Sequence, residues 1–216
     1  MNEPDVVVVA SGGGPAVVVP EAGTVVAADG GLDRAAALGL AVDVVVGDLD
    51  SVSAELLAAA EAAGARVARH PEAKDATDLE LALDEAVALG ARRVLVVASG
   101  DGRLDHLAAS LLLLGAERYA ELTVDGLVGD AVVHVVRRER TIPGERGALL
   151  TLLPVGGPAT GVVTDGLEYP LTGETLEPGS SRGVSNVFQR REARISVESG
   201  VLLAIRPGAA TAGRRT

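Results

Sequence analysis

The stretch Val44-Val45-Val46-Gly47-Asp48-Leu49-Asp50-Ser51 places two carboxylates one residue apart at the end of a β-branched run. Such a run reads as a strand buried on both faces, and the carboxyl edge of an open α/β sheet is where ligands bind. In extended backbone, residues i and i+2 point the same way, so Asp48 and Asp50 are expected to reach one hard cation. Mg²⁺ typically takes one or two carboxylates together with substrate phosphates. The alternative is a turn and a cap, with Asp48 or Ser51 turning the chain and Ser51 or Ser53 starting the next helix.

Three more clusters sit at similar junctions. Lys74-Asp75-Ala76-Thr77-Asp78 precedes an apolar helical stripe, and Thr77 with Glu80 makes an S/T-x-x-E capping box, which gives Thr77 and in part Asp78 a structural role. Lys74 is the only lysine beside eighteen arginines; an ammonium next to two acids suits a phosphate held with metal, a solvated ion pair being the ordinary alternative. Ser99-Gly100-Asp101-Gly102-Arg103-Leu104-Asp105-His106 follows a strand and opens a helix, so glycine N–H groups and the Arg103 fork can meet an anion. It is neither a P-loop nor a G-x-G-x-x-G turn, and His106, His70 and His134 have no metal spacing. Ala28-Asp29-Gly30-Gly31 reads equally as a ligand turn or as an N-cap aspartate with glycines for clearance.

These motifs need a scaffold, and the chain changes character near residue 120. Before it, strands at 5–10, 24–28, 43–47 and 93–98 alternate with helical stretches at 32–40, 54–63, 79–89 and 104–114, the pattern of a parallel sheet covered on both faces. After Tyr119, VVHVV at 132–136, ALLTLL at 148–153 and the pair RISVE and VLLAI flanking Ser199-Gly200, with Gly/Pro-rich turns between them, predict an antiparallel β unit. The expected fold is therefore α/β: a parallel-sheet domain over 1–120, then a β-rich, sandwich-like domain over 121–210.

With 216 residues, 48% apolar but 1% aromatic, the core must be tiled from Ala, Val and Leu. The net charge of −11 argues against nucleic acid or an anionic membrane surface, and favours cationic or metal-bridged ligands. Without cysteine there is no disulfide, thiolate metal site or thiol nucleophile. The amino terminus lacks a basic and long apolar leader and no apolar run is long enough to span a bilayer, so a cytoplasmic protein is expected.

The order ADGG, VVVGDLDS, KDATDLELAL, GDGRLDH, GLEYPLTGETL and SSRGVSN resembles thiamine pyrophosphokinase, particularly its bacterial form, over nearly the whole chain. The resemblance implies transfer of the β,γ-pyrophosphoryl group of ATP to the hydroxyl of thiamine, giving thiamine diphosphate and AMP, with Mg²⁺. It implies a homodimer with the site at the subunit interface, the first domain holding ATP and Mg²⁺, the second holding thiamine and the dimer contact. By matching positions, Asp48, Asp50, Asp75 and Asp78 are the metal acids. Asp48, Asp50, Asp78, Arg103 and Asp105 are catalytic; Asp29, Gly30, Lys74, Asp75, Thr77, Gly102 and Arg103 bind ATP. Ser185 and Asn186 match the thiamine-contacting pair, and Tyr169 either stacks on a thiamine ring or is a core tyrosine. Asp101 departs from the pattern, standing where glycine is expected, as does Leu32-Asp33 after ADGG. Two rivals remain: a D-x-D phosphatase with Asp48 as nucleophile, which leaves R-G-V-S-N unexplained, and a non-catalytic thiamine or nucleotide sensor.

Overall fold

Short valine-rich strands with no polar face build the centre of the molecule: β1 (Val6–Val9), β2 (Thr24–Ala28), β3 (Val44–Gly47) and β5 (Arg93–Ala98), all parallel. The computed structural model describes residues 3–73, 75–101 and 103–210. Alternate side chains serve opposite layers, as the period of two requires. Val6, Val8, Val26 and Val44 pack with Leu79 and Leu83 of helix α3 (Asp78–Ala88), whereas Val7, Val9 and Val25 pack with Ala35 of helix α1 (Gly31–Ala37). Helix α2 (Ala54–Ala62) starts at Ser53, whose hydroxyl accepts the Leu56 N–H. Strand β4 (Arg66–Arg69), which hydrophobic periodicity does not announce, adds to β3 as a parallel edge strand; its Arg-Val-Ala-Arg sequence carries too little apolar character to signal a strand.

The parallel part runs β4-β3-β2-β1-β5-β6, where β6 is Thr123–Val128. The chain works outward from β1 to β4 and then crosses back to place β5 on the other side of β1. That reversal opens a crevice beyond the carboxyl ends of β1 and β5. Helix α4 (Leu104–Leu114) follows β5, and a single 3-10 turn (Glu117–Tyr119) leads to β6. Tyr119 is fully buried and its hydroxyl donates to Asp84 at 2.8 Å. The expected boundary at 120/121 falls in this connection, but the sheet does not stop there: β6 is parallel to β5 and antiparallel to β7 (Ala131–Val136).

The second half departs from two expectations. The Gly/Pro-rich stretch after 153 is not a turn, because β9 runs unbroken from Leu149 to Asp165 through Pro154, Gly156, Gly157 and Pro158. Gly156 and Gly157, at φ 75° and 153°, take the conformations that side chains resist and let the strand bend between two layers. Nor do RISVE and VLLAI pair as a hairpin. They become β12 (Glu192–Ser196) and β13 (Ser199–Arg206), and both pair with β9 instead. Strand β13 lies between β7 and the first part of β9, while β12 joins the later part of β9 to β8 (Glu139–Pro143). Strands β10 (Thr172–Leu176) and β11 (Asn186–Val187) complete the unit along β9. Val136, Leu150, Leu152 and Leu202 of one layer meet Ile142, Val162, Ile195 and Phe188 of the other, so the β half is sandwich-like. Among the described residues no helix is long and apolar enough to cross a membrane.

Candidate active site

The crevice is lined by one loop from each strand around the reversal: Ser11 and Gly12 after β1, Asp29 after β2, Asp48, Asp50 and Ser51 after β3, Ser99 and Asp101 after β5. Thr77 and Asp78 at the start of α3 and Arg103 and His106 at the start of α4 close a cavity of about 430 Å³.

The β3 loop reaches this geometry differently from the expected extended run. Gly47 has φ 146° and Leu49 is left-handed at φ 66°, with its side chain buried at 9% exposure. Burying Leu49 against Ala27, Leu32 and Val45 turns the chain, so Asp48 and Asp50 converge through a kink rather than through strand alternation. The Asp50 N–H donates to the Asp48 carboxylate at 3.3 Å, and the Ser51 hydroxyl donates to Asp50 at 2.8 Å. Space is tight behind them, since a Cβ on Gly47 would lie 3.1 Å from Asp29 Cβ and 3.1 Å from Asp78 Oδ1.

Asp29 is the residue the sequence left most ambiguous, and the structure excludes one alternative. Helix α1 is capped by Gly30, with no side-chain cap bond. Asp29 is instead held left-handed at φ 47°, 6% exposed, with Oδ1 buried and lacking a hydrogen-bond partner among the described residues. Asp29, Asp48 and Asp50 can each offer a carboxylate oxygen such that the three lie within 4.8 Å of one another. A buried carboxylate oxygen without a donor, beside two more carboxylates, is costly as it stands and fits a hard divalent cation with oxygen ligands.

Other expected residues are placed as follows. Asp78 lines the cavity in the first turn of α3, and Thr77 caps that helix by accepting the Glu80 N–H at 3.2 Å. The Glu80 carboxylate pairs with Arg118, so the reciprocal half of the capping box is not the contact it makes. Asp75 is exposed and outside the lining, while Lys74 and Gly102 lie outside the described residues. Arg103 pairs with Asp105 at 2.6 Å, and its guanidinium holds the Asp105 carboxyl at about 2. Asp101 accepts from the Ser99 hydroxyl and donates its own N–H to Ser99 Oγ at 3.1 Å, tying the unexpected acid to its neighbour. Sequence reasoning missed Ser110, which lines the cavity from within α4; one serine in an apolar helix is too common to stand out.

Tyr169 and Asn186 belong to a second cavity, of about 370 Å³, with Arg182 and Gly183; it shares no lining residue with the acidic one. Tyr169 is 55% exposed, which removes the core-tyrosine alternative. Arg182 donates to both carboxylate oxygens of Glu174, at 3.1 and 3.0 Å. Ser185 is left-handed at φ 58° and its N–H donates to Thr151 Oγ1 at 3.0 Å; it does not line the cavity.

Residues 17–124 match the family described as thiamin pyrophosphokinase, catalytic domain, and residues 133–202 match thiamin pyrophosphokinase, vitamin B1 binding domain. The chain belongs to the thiamine pyrophosphokinase family. Thiamine pyrophosphokinase 1 of rice is 25% identical over 181 residues, 76% of this chain and 65% of that protein. Thiamine pyrophosphokinase 2 of Arabidopsis thaliana is 28% identical over 168 residues, and the chain spans only 61% of it. The solved thiamin pyrophosphokinase of Geobacillus thermodenitrificans superposes with TM-score 0.77 at 26% identity, covering 94% of this chain and 96% of that one. A thiamin pyrophosphokinase family protein from Enterococcus faecalis, at 24% identity and TM-score 0.79, covers 94% of this chain and 98% of its own, and has the same fold. Both the parallel first half and the antiparallel second half are therefore features of the thiamine pyrophosphokinase fold.

Proposed function

We propose that this chain transfers the β,γ-pyrophosphoryl group of ATP to the hydroxyl of thiamine, releasing AMP and thiamine diphosphate. The observation that carries this reading is the convergence of Asp29, Asp48 and Asp50 in the crevice at the sheet reversal, in a chain of this family. The thiamine hydroxyl oxygen bonds to the β-phosphorus, the bridge to the α-phosphate breaks, AMP leaves and the hydroxyl proton passes to a carboxylate. Such transfer asks the protein mainly for in-line positioning and for neutralising charge on phosphate oxygens.

Mg²⁺ would be held by Asp48 and Asp50 together with Asp29, with Asp78 beside it and Asp75 outside the cavity rim, and when bound would offset negative charge on the phosphate oxygens. Arg103 serves as a forked donor to phosphate once it exchanges Asp105 for the nucleotide, and Lys74, Thr77, Gly30 and the backbone at Gly102 complete the ATP side. Asp50 or Asp78 accepts the hydroxyl proton. Tyr169 gives thiamine an exposed ring to stack on, with Ser185 and Asn186 supporting it.

Residues 1–120 form the ATP and Mg²⁺ half and residues 121–210 the thiamine and dimer half. A homodimer is supported by α4: of its eleven residues only Leu114 is buried, while Leu104 and Leu112 are 78% and 59% exposed. A second copy covering α4 would also let Tyr169 of one chain meet the acidic crevice of the other. The chain has neither a nucleic-acid nor a membrane partner in this reading, and acts in the cytoplasm, where ATP is at hand.

Incubation with ATP, Mg²⁺ and thiamine tests the activity. AMP and thiamine diphosphate in equal amounts are expected; phosphate release without AMP would favour a D-x-D phosphatase, and binding without turnover a sensor.

A further inference from the structure

Asp101, the acid that stands where the family pattern expects glycine, sits on a threshold between two cavities. One is the acidic crevice. The other is a groove of about 350 Å³ walled by Leu107 and Leu111 of α4, Val128 at the end of β6, Val133 of β7 and Ile205 of β13. Asp101 and Leu107 line both, so the two cavities meet around them. The loop after β1 follows the same threshold, with Ser11 and Gly12 lining the crevice and Gly14 and Pro15 lining the groove. Arg34 of α1 holds that loop, donating to the carbonyls of Gly14 and Pro15 at 2.9 and 2.6 Å.

Contacts on both sides fix where the carboxylate stands. The Ser99 hydroxyl donates to Asp101 Oδ1, and the Asp101 N–H returns a bond to Ser99 Oγ at 3.1 Å. Ser99 backs onto the loop after β1, since a Cβ on Gly12 would fall 2.7 Å from Ser99 Cβ. Gly100 in turn lies against the turn between β6 and β7, where a Cβ on it would fall 2.8 Å from Gly129 Cα. Asp101 is nonetheless exposed. An ionised carboxylate is an acceptor only, with room for about four hydrogen bonds, of which the Ser99 hydroxyl takes one.

The two cavities differ in chemistry. In the crevice Asp29, Asp48 and Asp50 converge on a place for a cation, Asp101 is not one of that group, and Arg103 brings donors for phosphate oxygens. The groove offers leucine, isoleucine and valine walls, which suit a flat apolar ring system. A nucleotide has its parts in the matching order: phosphates, then a sugar with neutral hydroxyl donors, then a heterocyclic base. A carboxylate set against phosphates repels them, whereas one set against a sugar hydroxyl accepts a charge-assisted hydrogen bond.

We propose that Asp101 reads the ribose of the nucleotide, accepting from its 2′- or 3′-hydroxyl while the base lies in the groove against Leu107, Leu111 and Val133. The inference rests on the reading of the crevice as the ATP and Mg²⁺ site. It makes Asp101 a specificity residue that selects ribonucleotides over deoxyribonucleotides, a role for which glycine has no side chain. The acid that departs from the family pattern then lies one sugar away from the phosphates instead of among them.

The test is calorimetric titration of the full-length chain, with Mg²⁺ present, using ATP, 2′-deoxy-ATP, 3′-deoxy-ATP, inorganic tripolyphosphate and, separately, thiamine. At least one deoxy analogue should bind about tenfold more weakly than ATP, because it leaves the carboxylate without its donor. In Asp101→Gly the gap between ATP and that analogue should close to within about twofold. Tripolyphosphate, which has no ribose, reports what loss of the charge does alone, and a merely structural role for Asp101 would weaken every nucleotide alike and keep the gap. Leu111→Trp, which fills the groove, should weaken ATP and both analogues about tenfold and leave tripolyphosphate unaltered; where that variant does not fold, the Asp101→Gly comparison still decides. A parent chain that binds neither ATP nor tripolyphosphate would overturn the catalytic reading and the inference with it. ATP bound with no preference over either analogue, a preference that survives in Asp101→Gly, or a loss in Asp101→Gly that falls on thiamine instead would overturn the inference alone.

Discussion

The side-chain amide of Asn186 is paired with the main chain of Tyr169: Oδ1 accepts the Tyr169 N–H at 3.0 Å and Nδ2 donates to the Tyr169 carbonyl at 2.7 Å. Oδ1 also accepts the Val187 N–H at 2.9 Å, and Asn186 is 3% exposed. Asn186 therefore works as a clamp on the segment that presents the Tyr169 ring. Asn186→Ala strips partners from both main-chain groups of Tyr169 and should cost about 2–4 kcal/mol of stability. It should raise the KM for thiamine about tenfold with kcat changed far less. Asn186→Asp keeps the acceptor, loses the donor and should fall between the two. With no tryptophan in the chain and Tyr119 buried, tyrosine emission reports thiamine arriving at Tyr169; an Asn186→Ala protein with unaltered thiamine quenching would remove the clamp from the argument.

Asp29, Asp48 and Asp50 repel one another when no cation sits between them. Asn at any of the three should lower AMP release by about a hundredfold or more, the scale expected when one charge-handling group of a phosphoryl transfer is lost. Asp29→Asn should also raise the melting temperature measured in EDTA, since it relieves a buried carboxylate, and should remove the stabilisation that Mg²⁺ gives the parent chain. Thermal melts with and without Mg²⁺ make the comparison, and an Asp29→Asn chain still stabilised by the ion would exclude Asp29 from its ligands.

Arg103 is engaged by Asp105, so in the proposed reaction ATP would have to compete for it. Arg103→Ala should weaken ATP about tenfold or more and leave thiamine nearly unaffected, because a guanidinium reads phosphate oxygens and repels a thiazolium. Calorimetric titration with each ligand separates these outcomes; equal losses would argue against a phosphate role.

Asp5 joins the starts of β1 and β5. The Arg93 side chain, with the N–H groups of Arg92 and Arg93, holds its carboxyl at about 2 rather than 3.8. A carboxyl whose pKa is lower folded than unfolded stabilises fully above the unfolded value and loses that contribution as pH falls through the folded one. The melting-temperature gap between the parent chain and Asp5→Asn should accordingly be steady from neutral pH down to about 5 and close between about 4 and 2. A gap that widens toward acid would contradict the assignment.

The strands whose every residue is apolar, Val6–Val9 and Val44–Gly47, were legible because burial on both faces writes itself into composition. Arg66–Arg69 was not, since an edge strand is held by ladder bonds that leave its side chains free to be polar. The pairing of β12 and β13 with β9 rather than with each other depends on two glycines bending a strand, and a glycine reads the same in a bend as in a turn. At the site, the carboxylates were visible as residue types, but the kink at Leu49 goes with its packing against Ala27 and Leu32 of the preceding strand and helix, and Asp29 is held against the end of β3, its N–H donating to the Val46 carbonyl at 2.8 Å. His134 carried a weak signal that went unread: a polar residue amid valines in 132–136, directly across from Asp125 on the adjacent strand.

Strand β9 lends its first part to one layer and its later part to the other, and its partners β10, β11, β12 and β13 all follow it in the chain. During synthesis it therefore has nothing to pair with until residues beyond 172 have left the ribosome, and its pairing with β13 must wait for residue 206. High contact order of this kind makes folding slow and leaves apolar edges exposed meanwhile. Truncation before β13 would consequently leave a chain prone to aggregation instead of a shorter folded one, and the tenure of a nascent chaperone on this protein should be set by when its last strand emerges.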